Sequence, residues 1–395
     1  MRVTLISDEW RRNGGVASYL RRLSSALAAG GAAVQVVHND RGAQPEPGVR
    51  DDYVAECTVF GQRSDRAAST AREAVAAVDA FRPDVVHVQS CNNFTLERAL
   101  RARYPATKTL HVYDFCPSNT KFHHALDREC SHPTSLLCLP RLGYKRCTTS
   151  RRPQVWLRLQ RRATEANRNN ASYHRLIVAS EHVRQKALGT GYPPAQVVVV
   201  PYFVNAADAV AAPHARTIVT AGRLTREKGF DLFIDALARV PRPWRAVIAG
   251  DGMERAALER HAAAAGLAGD IEFAGWQDEA GMRALYSRAS VVVMPSRWPE
   301  PSGMIGLEAM AHGRPVAAFA VGGIPEWLQH GLTGLLAAPG DSAALATAIT
   351  DIVADPVAAS AMGEAGRARV SAVFSADRHL SALAALYGVL PHPAA

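Results

Sequence analysis

The sequence of 395 residues lacks the features that mark several large classes of protein. No apolar run approaches the ~18 residues that a membrane-spanning helix needs, so no transmembrane segment is predicted. The start turns acidic at Asp8 and Glu9, too soon for a secretory signal, and we expect a cytoplasmic protein. Hydrophobic residues make up 48% and charged residues 21%, which excludes disordered and collagen-like chains. At ~100–200 residues per domain, the length predicts two domains.

Acidic residues are scarce in one segment, and this scarcity accounts for the net charge. The chain has 45 Lys and Arg against 36 Asp and Glu, a formal charge of +9. Residues 141–168 contain a single acid, Glu165, and nine basic residues, so this segment carries +8. The other 36 basic and 35 acidic residues nearly cancel, and a surface that binds polyanions everywhere is not expected. The nine are Arg141, Lys145, Arg146, Arg151, Arg152, Arg158, Arg161, Arg162 and Arg168.

Short β-rich runs alternate with helical patterns along nearly the whole chain. This alternation predicts an α/β fold in which helices cover a parallel sheet. It occurs twice, with a seam near residues 201–213, and so predicts two Rossmann-like domains, residues 1–205 and 206–375, and a final helix in 376–395. The predicted strands include Val3–Ser7, Val34–His38, Asp84–Gln89, Thr109–Tyr113, Val197–Val200, Thr217–Ala221, Arg245–Ala249, Val291–Met294, Pro315–Ala320 and Gly334–Ala337.

The loop Ala221–Gly229 follows a predicted strand, and ligands bind beyond the carboxyl ends of parallel strands. It places Arg223 and Lys228 beside a glycine-bounded turn at a helix start, where backbone N–H groups and the helix dipole favour an anion. Two cations in this position suit a diphosphate. A solvated basic turn is the alternative interpretation.

The loop Pro295–Glu308 follows another predicted strand and carries two carboxylates. Glu300 precedes the predicted helix and Glu308 lies inside it. Carboxylates accept hydrogen bonds from vicinal hydroxyls, so the pair suits the recognition of a sugar or a ribose. The alternative is two ordinary surface glutamates.

These motifs have the order found in a known family. The sequence EPSGMIGLEAMA at 300–311 resembles the two-glutamate signature of the retaining glycosyltransferases of family 4, and Gly222–Gly229 matches that family's phosphate loop. Gly14-Gly15 before a helix is similar to its N-terminal glycine loop. The resemblance covers nearly the whole chain and implies the GT-B fold, in which an acceptor-side and a nucleotide-sugar-binding Rossmann-like domain face each other across a cleft. It also implies that the C-terminal helix, about Ala376–Leu390, crosses back to the first domain. Further matching segments are Val247–Gly252, Phe273–Trp276 and Val321–Glu326.

The resemblance assigns roles to individual residues. Arg223 and Lys228 are implied to hold the donor diphosphate, Glu308 to bind the ribose hydroxyls, and Glu300 to hold the donor sugar at the catalytic centre. Gly15 is implied to let its loop approach the donor phosphate closely. The full implied set of donor-binding residues is Gly14, Gly15, Arg223, Lys228, Gly250, Ser302, Gly303, Met304, Ile305 and Glu308.

The implied reaction is the transfer of a sugar, with retention, from a nucleotide-diphospho-sugar to an acceptor hydroxyl. Fixed cations and helix N-termini can stabilise the charge that develops on the leaving diphosphate in place of a metal ion. The chain has no Asp-x-Asp pair, which metal-dependent glycosyltransferases of the other main fold usually need, so we expect no catalytic metal. A catalytically silent GT-B protein that binds nucleotide sugars is the alternative from another class. A GT-B epimerase or phosphorylase is a third.

His111 is the second catalytic residue that the resemblance implies. Thr109-Leu-His111 at a strand end resembles the family's histidine near the donor sugar. Relatives often have an Asp directly after it, whereas this chain has Asp114. Either Asp114 takes the role of that acidic neighbour or the loop is one residue shorter. A satisfied histidine at a strand end is the alternative.

Four of the six cysteines fall within an insertion at about 114–155. In a reducing compartment, clustered cysteines favour a metal over disulfides, and His123, His124 and His132 lie among them. No two of the cysteines are separated by two residues, so zinc-type spacing is only approximate. A structural zinc, uncoordinated thiols, disulfides and an iron–sulfur site all remain open. The four are Cys116, Cys130, Cys138 and Cys147.

The +8 segment contains a basic amphipathic helix, with Trp156 and Leu159 on its apolar stripe. Such a helix indicates contact with an anionic membrane surface or an anionic acceptor, such as a lipid-linked glycan. We therefore expect a peripheral position at the inner face of the membrane. A solvated helix packed by its apolar side is the alternative. Nucleic acid is not expected, because no aromatic platform accompanies the charges.

Overall fold

The computed structural model describes residues 1–8, 10, 14–40, 46–54, 64–205 and 216–390. The chain forms two compact units. The first contains Met1–Thr120, Ser131–Tyr202 and Ala376–Ala395, and the second contains Lys121–Cys130 and Phe203–Ser375. The segment from residue 376 therefore lies with the first unit. Residues 121–130, which the sequence places in the first domain, lie with the second.

The strands of the described residues are β1 (Arg2–Ser7), β2 (Ala33–His38), β3 (Val49–Tyr53), β4 (Val85–Ser90), β5 (Ala106–Leu110), β6 (Phe122–His123), β7 (Arg128–Glu129), β8 (Leu176–Val178), β9 (Val197–Val199), β10 (Thr217–Ala221), β11 (Arg245–Ala249), β12 (Ile271–Gly275), β13 (Val291–Met294), β14 (Val316–Phe319) and β15 (Gly334–Ala337). The first unit has a parallel sheet in the order β3-β2-β1-β4-β5-β8-β9, and the second one in the order β12-β11-β10-β13-β14-β15. Strands β6 and β7 form a short antiparallel hairpin. Two parallel-sheet α/β units confirm the predicted fold class.

The helices of the described residues are α1 (Gly15–Ala29), α2 (Ser64–Phe81), α3 (Phe94–Arg101), α4 (Cys138–Tyr144), α5 (Pro153–Asn170), α6 (Glu181–Leu188), α7 (Phe230–Leu237), α8 (Arg255–Ala264), α9 (Glu279–Arg288), α10 (Met304–Ala311), α11 (Ile324–Trp327), α12 (Ser342–Ala354), α13 (Pro356–Val373) and α14 (Ala376–Tyr387). A 3₁₀ turn, Arg226–Lys228, precedes α7. No single described helix is long and apolar enough to cross a membrane. Helix α12 and the helical segment Pro356–Tyr387, which meet at a sharp bend, together have the length and apolar composition of a membrane span, and nothing beyond length and composition supports that reading.

Apolar strands and striped helices build both cores. In the first unit, α1 buries Tyr19, Leu20, Leu23 and Leu27 against the sheet, and their spacing places them on one face of the helix. In the second unit, all four residues of β13 are buried, as expected for a central parallel strand with helices on both faces.

One predicted strand is displaced. The prediction covers Thr109–Tyr113, whereas β5 covers Ala106–Leu110. The charged Lys108 obscures the first half of this strand in the sequence. Its side chain is buried, and Nζ lies 2.9 Å from Glu97 Oε1 on α3. Because a buried charge needs a partner, the pairing allows a lysine in the middle of a core strand.

The C-terminal helix α14 is hydrogen-bonded to the first unit through two histidines. His379 Nδ1 lies 2.7 Å from the Pro201 carbonyl oxygen, and Nε2 lies 2.9 Å from Tyr19 Oη. His87 Nδ1 lies 2.7 Å from Tyr387 Oη. Burial lowers the pKa of His379 to about 4 and that of His87 well below its usual value, so both rings are neutral at pH 7. Neutral, hydrogen-bonded rings join α14 to β4 and α1 without buried charge.

Candidate active site

Backbone hydrogen bonds and a close backbone contact fix the loop between β10 and α7 at the carboxyl ends of the strands of the second sheet. Gly222 N donates to the Ala249 carbonyl oxygen over 2.9 Å, and Lys228 N donates to that of Thr225 over 3.0 Å. Gly229 ends the 3₁₀ turn at φ +71°, where a Cβ would collide with the Pro295 carbonyl oxygen. The loop therefore presents Arg223, which is exposed, and the half-buried Lys228 at the strand ends.

Lys228 and Glu300 form an ion pair. Lys228 Nζ lies 2.6 Å from Glu300 Oε1, and Ser296 Oγ donates to the same oxygen over 2.6 Å. The Glu300 side chain is only 6% exposed and that of Lys228 is 21% exposed. The ammonium also lies over the Trp298 ring, 5.1 Å from its centroid. The structure thus joins two residues to which the sequence assigns separate ligands, the diphosphate and the sugar.

Helix α10 begins beside Glu300 and carries Glu308. Gly303 precedes the helix at φ +85°, a left-handed conformation that favours glycine, and the Trp327 indole donates to the Ser302 carbonyl oxygen over 2.5 Å. Inside the helix, Tyr286 Oη donates to Glu308 Oε2 over 2.9 Å. The backbone at the start of α10 and the oriented Glu308 carboxylate therefore lie on one short element.

Arg297 braces this region, although it is not among the residues that the sequence predicts for the site. Its side chain is 7% exposed. Nη2 lies 2.6 Å from Asp231 Oδ2 on α7, and Nε lies 2.8 Å from Asp127 Oδ2 in the β6–β7 hairpin. Burial raises the pKa of Asp231, but the hydrogen bonds and charge of Arg297 more than offset this and leave it below its usual value. One arginine therefore ties the hairpin and α7 to the loop that carries Glu300.

The signal for Arg297 in the sequence was weak. It is one arginine among 45 basic residues, and both of its acidic partners are far away along the chain. Only its position directly after β13, in a loop already suspected of binding a ligand, distinguished it.

His111 lies at the end of β5 in the first unit and is buried. Nε2 lies 2.9 Å from Gln89 Oε1, and Nδ1 lies 2.5 Å from Tyr202 Oη. Because an amide oxygen only accepts, the contact assigns the proton to Nε2, and Nδ1 accepts from the tyrosine. Burial lowers the pKa of His111 to about 3. The ring is therefore a neutral group with both nitrogens engaged, which favours the interpretation as a satisfied histidine over proton transfer.

The sequence singles out two further features of the first unit, the Gly14-Gly15 loop and Asp114. Gly14 and Gly15 are exposed at the start of α1, so the predicted approach of this loop to a phosphate stays a prediction. Burial raises the pKa of Asp114, and the charges of Lys108 and Arg162 oppose the shift without cancelling it.

In the second unit, Gly250 packs against the Gly222 carbonyl group, and the backbone there has no room for a side chain.

The four clustered cysteines do not assemble a metal site. The described part of the chain contains no group of three or more His, Cys, Asp or Glu side chains that is placed to hold a metal ion. Cys138 begins α4, and Cys147 lies three residues beyond the end of this helix, where its Sγ is 3.4 Å from the Arg141 carbonyl oxygen. Cys116 Sγ is 3.4 Å from Ser118 Oγ. In this arrangement the four thiols are not grouped around one point, and the structural zinc stays a prediction.

Comparison with known proteins agrees with the fold. The family model Glycosyltransferase Family 4 matches residues 13–208, and the model Glycosyl transferases group 1 matches residues 206–369. The chain belongs to these glycosyltransferases, which confirms the predicted family, the GT-B fold and an enzyme that transfers sugars.

Individual relatives support the same conclusion. The glycogen synthase of Mycobacterium tuberculosis is 29% identical over 414 residues, which cover 98% of this chain and 94% of the relative. The lipopolysaccharide core biosynthesis glycosyltransferase LpsE of Rhizobium meliloti is 33% identical over 191 residues, 46% of this chain and 55% of the relative. The structure of HepE from Anabaena in complex with UDP-glucose has the same fold, with a TM-score of 0.77, 19% identity, and coverage of 99% of this chain and 100% of that one.

Proposed function

We propose that this glycosyltransferase takes its sugar from a nucleotide-diphospho-sugar bound by the second unit and transfers it to an acceptor hydroxyl with retention of anomeric configuration. The observation that carries the proposal is the ion pair between the half-buried Lys228 and the buried Glu300, which lies at the strand ends next to the start of α10. A cation, a carboxylate and a helix N-terminus together suit a sugar attached to a diphosphate. The complex of HepE with UDP-glucose supports a donor of this class.

Each group has a distinct task in this reaction. The bond between the sugar and the diphosphate breaks, and the leaving diphosphate gains negative charge. Lys228 and the N-terminus of α10 stabilise this charge without reorganising, because the ion pair with Glu300 and the helix already hold them in place. The exposed Arg223 supplies a second cation. Glu300 accepts hydrogen bonds from the donor sugar. Glu308, oriented by Tyr286, accepts them from the ribose.

A donor screen tests this proposal. Purified protein incubated with UDP-, GDP-, ADP- and TDP-sugars is expected to release nucleoside diphosphate slowly from one of them without acceptor. The variant Glu308→Gln keeps the shape of the side chain but weakens ribose binding, so its release rate should fall at least ~10-fold. The control Glu279→Gln changes an exposed carboxylate on α9 and should not alter the rate. Binding of a nucleotide sugar without release would instead indicate a silent binding protein, and an inverted product anomer would rule out retention.

We further infer that the first unit meets an anionic membrane surface through α4, α5 and the turns before them. Four large apolar side chains are exposed there: Leu136 (80%), Leu137 (63%), Tyr144 (65%) and Leu157 (41%). Six exposed arginines accompany them, Arg146, Arg151, Arg152, Arg158, Arg161 and Arg168. Apolar side chains with a surrounding cationic surface are the composition of an interfacial segment.

Binding to lipid vesicles tests this surface. Each basic residue near an anionic bilayer contributes ~1 kcal/mol, so Arg151→Gln with Arg152→Gln should weaken binding to phosphatidylglycerol-containing vesicles about 30-fold. Exposed arginines of the second unit provide a control with the same change of charge, Arg239→Gln with Arg260→Gln, which should bind like the unchanged protein. Equal sedimentation with phosphatidylcholine vesicles and with anionic vesicles would contradict the proposal.

A further inference from the structure

The β6–β7 hairpin contacts the loops of the donor site through the side chain of Asp127. The two strands leave residues 124–127 as the turn of the hairpin. Phe122 is fully buried and anchors the first strand in the second unit. Asp127 ends the turn at φ +47°, a left-handed conformation in which aspartate and asparagine are enriched among residues other than glycine. The turn therefore sets the position of this carboxylate.

Asp127 lies between two arginines, and its contacts with them differ in strength. Its Oδ2 accepts from Nε of Arg297 over 2.8 Å, and the Arg297 side chain is almost fully buried. Its Oδ1 lies 3.8 Å from Nη2 of the exposed Arg226. An exposed pair at that distance contributes little, whereas a short charge-assisted hydrogen bond to a buried guanidinium fixes both groups. The contact with Arg297 is therefore the one that can act on the site.

Arg297 connects the two loops that carry the donor-site ion pair. Its backbone N–H donates to the Glu227 carbonyl oxygen over 2.9 Å, and its Nη1 donates to that of Arg226 over 3.3 Å. Both carbonyl groups belong to the 3₁₀ turn that ends at Lys228, whereas Arg297 itself lies three positions before Glu300. The register of the two loops therefore depends on where the Arg297 side chain is held.

The guanidinium of Arg297 is held by two carboxylates from different parts of the chain. Asp231, on α7, accepts from Nη1 and Nη2, and Asp127 accepts from Nε. Because the guanidinium is a rigid planar fork, acceptors at all three nitrogens fix its orientation as well as its position. Asp231 belongs to the helix that follows the 3₁₀ turn. Asp127 comes from residues 121–130, a segment of the second unit whose flanks on both sides belong to the first unit.

We propose that Asp127 is a positioning residue of the donor site. Through Arg297 it holds the 3₁₀ turn and the loop 295–301 in the register that forms the donor-site ion pair, and it acts without touching the donor. A displacement of about 1 Å at the reacting groups can lower a rate by about 10²-fold. Asp127 therefore controls the breaking of the sugar–diphosphate bond more than the binding of the nucleotide. This inference rests on the function proposed for the Lys228–Glu300 pair.

Removing the Asp127 carboxylate without straining the turn tests the proposal. Asp127→Gly deletes the side chain, and glycine adopts φ +47° without cost. With the active donor of the screen at saturation, the rate constant of acceptor-independent diphosphate release should fall at least ~10-fold. The KM for the donor and the calorimetric affinity for its nucleoside diphosphate should change less than about threefold, because ground-state binding depends less on exact register. The binding stoichiometry should not change. Asp127→Asn, which keeps an oxygen for Arg297, should restore part of the rate.

Asp270 provides the matched control, because it also bridges two arginines of the second unit. Its Oδ2 lies 3.0 Å from Arg242 Nη2, and its Oδ1 lies 3.0 Å from Arg245 Nη1. It directly precedes β12, at the amino edge of the sheet, whereas the donor loops follow the carboxyl ends of the strands. Asp270→Ala removes this carboxylate and should leave diphosphate release within about twofold of the wild-type rate.

A second set of variants tests whether Asp127 acts through Arg297. Arg297→Lys keeps a positive charge beside Asp231 but loses the planar fork, so it cannot hold all the partners at once. In this background Asp127→Gly should lower release by less than about threefold more, since the contact it removes is already lost. In the Arg226→Met background Asp127→Gly should keep its full effect.

Each outcome supports or overturns the proposal. Unchanged release in Asp127→Gly overturns it, and so does an equal loss in the Asp270→Ala control. A binding stoichiometry that falls in step with the rate shows a loss of folded protein and assigns Asp127 a structural role instead. A full further loss from Asp127→Gly in the Arg297→Lys background overturns the action through Arg297. No diphosphate release by the wild-type protein from any nucleotide sugar contradicts the proposed function itself, which separates the two failures.

Discussion

Replacing Lys228 by methionine is expected to lower the release of nucleoside diphosphate from the donor by ~100- to 1,000-fold, the usual effect of removing one fixed group that stabilises developing charge. Methionine keeps an unbranched side chain of similar length but removes the ammonium that lies over the Trp298 ring. Glu300 then keeps Ser296 as a hydrogen-bond donor but loses its cation while remaining buried. The rate constant for acceptor-independent release at saturating donor measures the effect.

The neighbouring Arg226 provides the control for this prediction. It lies in the same 3₁₀ turn, is exposed, and pairs with Asp127 at 3.8 Å rather than with Glu300. Arg226→Met removes the same charge from the same loop and should change the rate less than about twofold, since exposed pairs contribute little. If Arg226→Met and Lys228→Met reduce release equally, the effect comes from the general charge of the loop, and the assigned role of Lys228 is wrong.

A double-mutant cycle separates the two tasks of Lys228. Glu300→Gln removes the carboxylate that the ammonium neutralises. If part of the Lys228→Met effect comes from leaving that carboxylate unpaired, the double variant should lose less than the sum of the two single losses. Strict additivity would indicate that Lys228 acts on the diphosphate alone.

Five of the six strands of the second unit's sheet were predictable because their sequences are mostly apolar, whereas β12 was not predicted. The observed β10, β11, β13 and β15 have the bounds that their sequences predict. In a strand buried between two layers of helices both faces are apolar, so polar and apolar residues do not alternate along it. The glycine or polar residues on either side of the run mark where the strand ends. The first unit was harder, because Lys108 interrupts β5 and because β3 reads Val-Arg-Asp-Asp-Tyr, without an apolar run.

The sequence singles out the candidate donor-site residues one by one, but it does not predict the contacts between them. Lys228 and Glu300 are 72 positions apart, and their ion pair exists only because β10 and β13 are neighbours in the sheet. The same holds for Arg297, whose partner Asp127 comes from a hairpin 170 positions away. Spacing in the sequence signals a local motif, whereas these pairs depend on strand order, which the pattern of one chain does not encode.

A methyl group at Gly229 is expected to damage both stability and activity. At φ +71° an alanine is strained by about 1–2 kcal/mol, and its Cβ collides with the Pro295 carbonyl group, so overpacking adds about 1–3 kcal/mol. Relief requires the 295–301 loop to move away from the 3₁₀ turn, and that movement separates Glu300 from Lys228. Gly229→Ala should therefore lower the unfolding free energy of the second unit by about 2–5 kcal/mol in guanidinium titrations, and reduce diphosphate release by at least ~10-fold under native conditions.

A substitution at Gly266 provides the control that separates the effect of backbone strain from that of the collision with Pro295. It has the same φ of +71° in the same unit, but a Cβ there meets no atom within 4 Å. Gly266→Ala should thus lose only the strain, about 1–2 kcal/mol, and retain full activity. If the two variants lose equal stability and neither loses activity, the contact between Gly229 and Pro295 does not position the catalytic pair. If Gly229→Ala alone loses both, the close approach of two backbones at this one glycine holds the diphosphate loop against the glutamate loop.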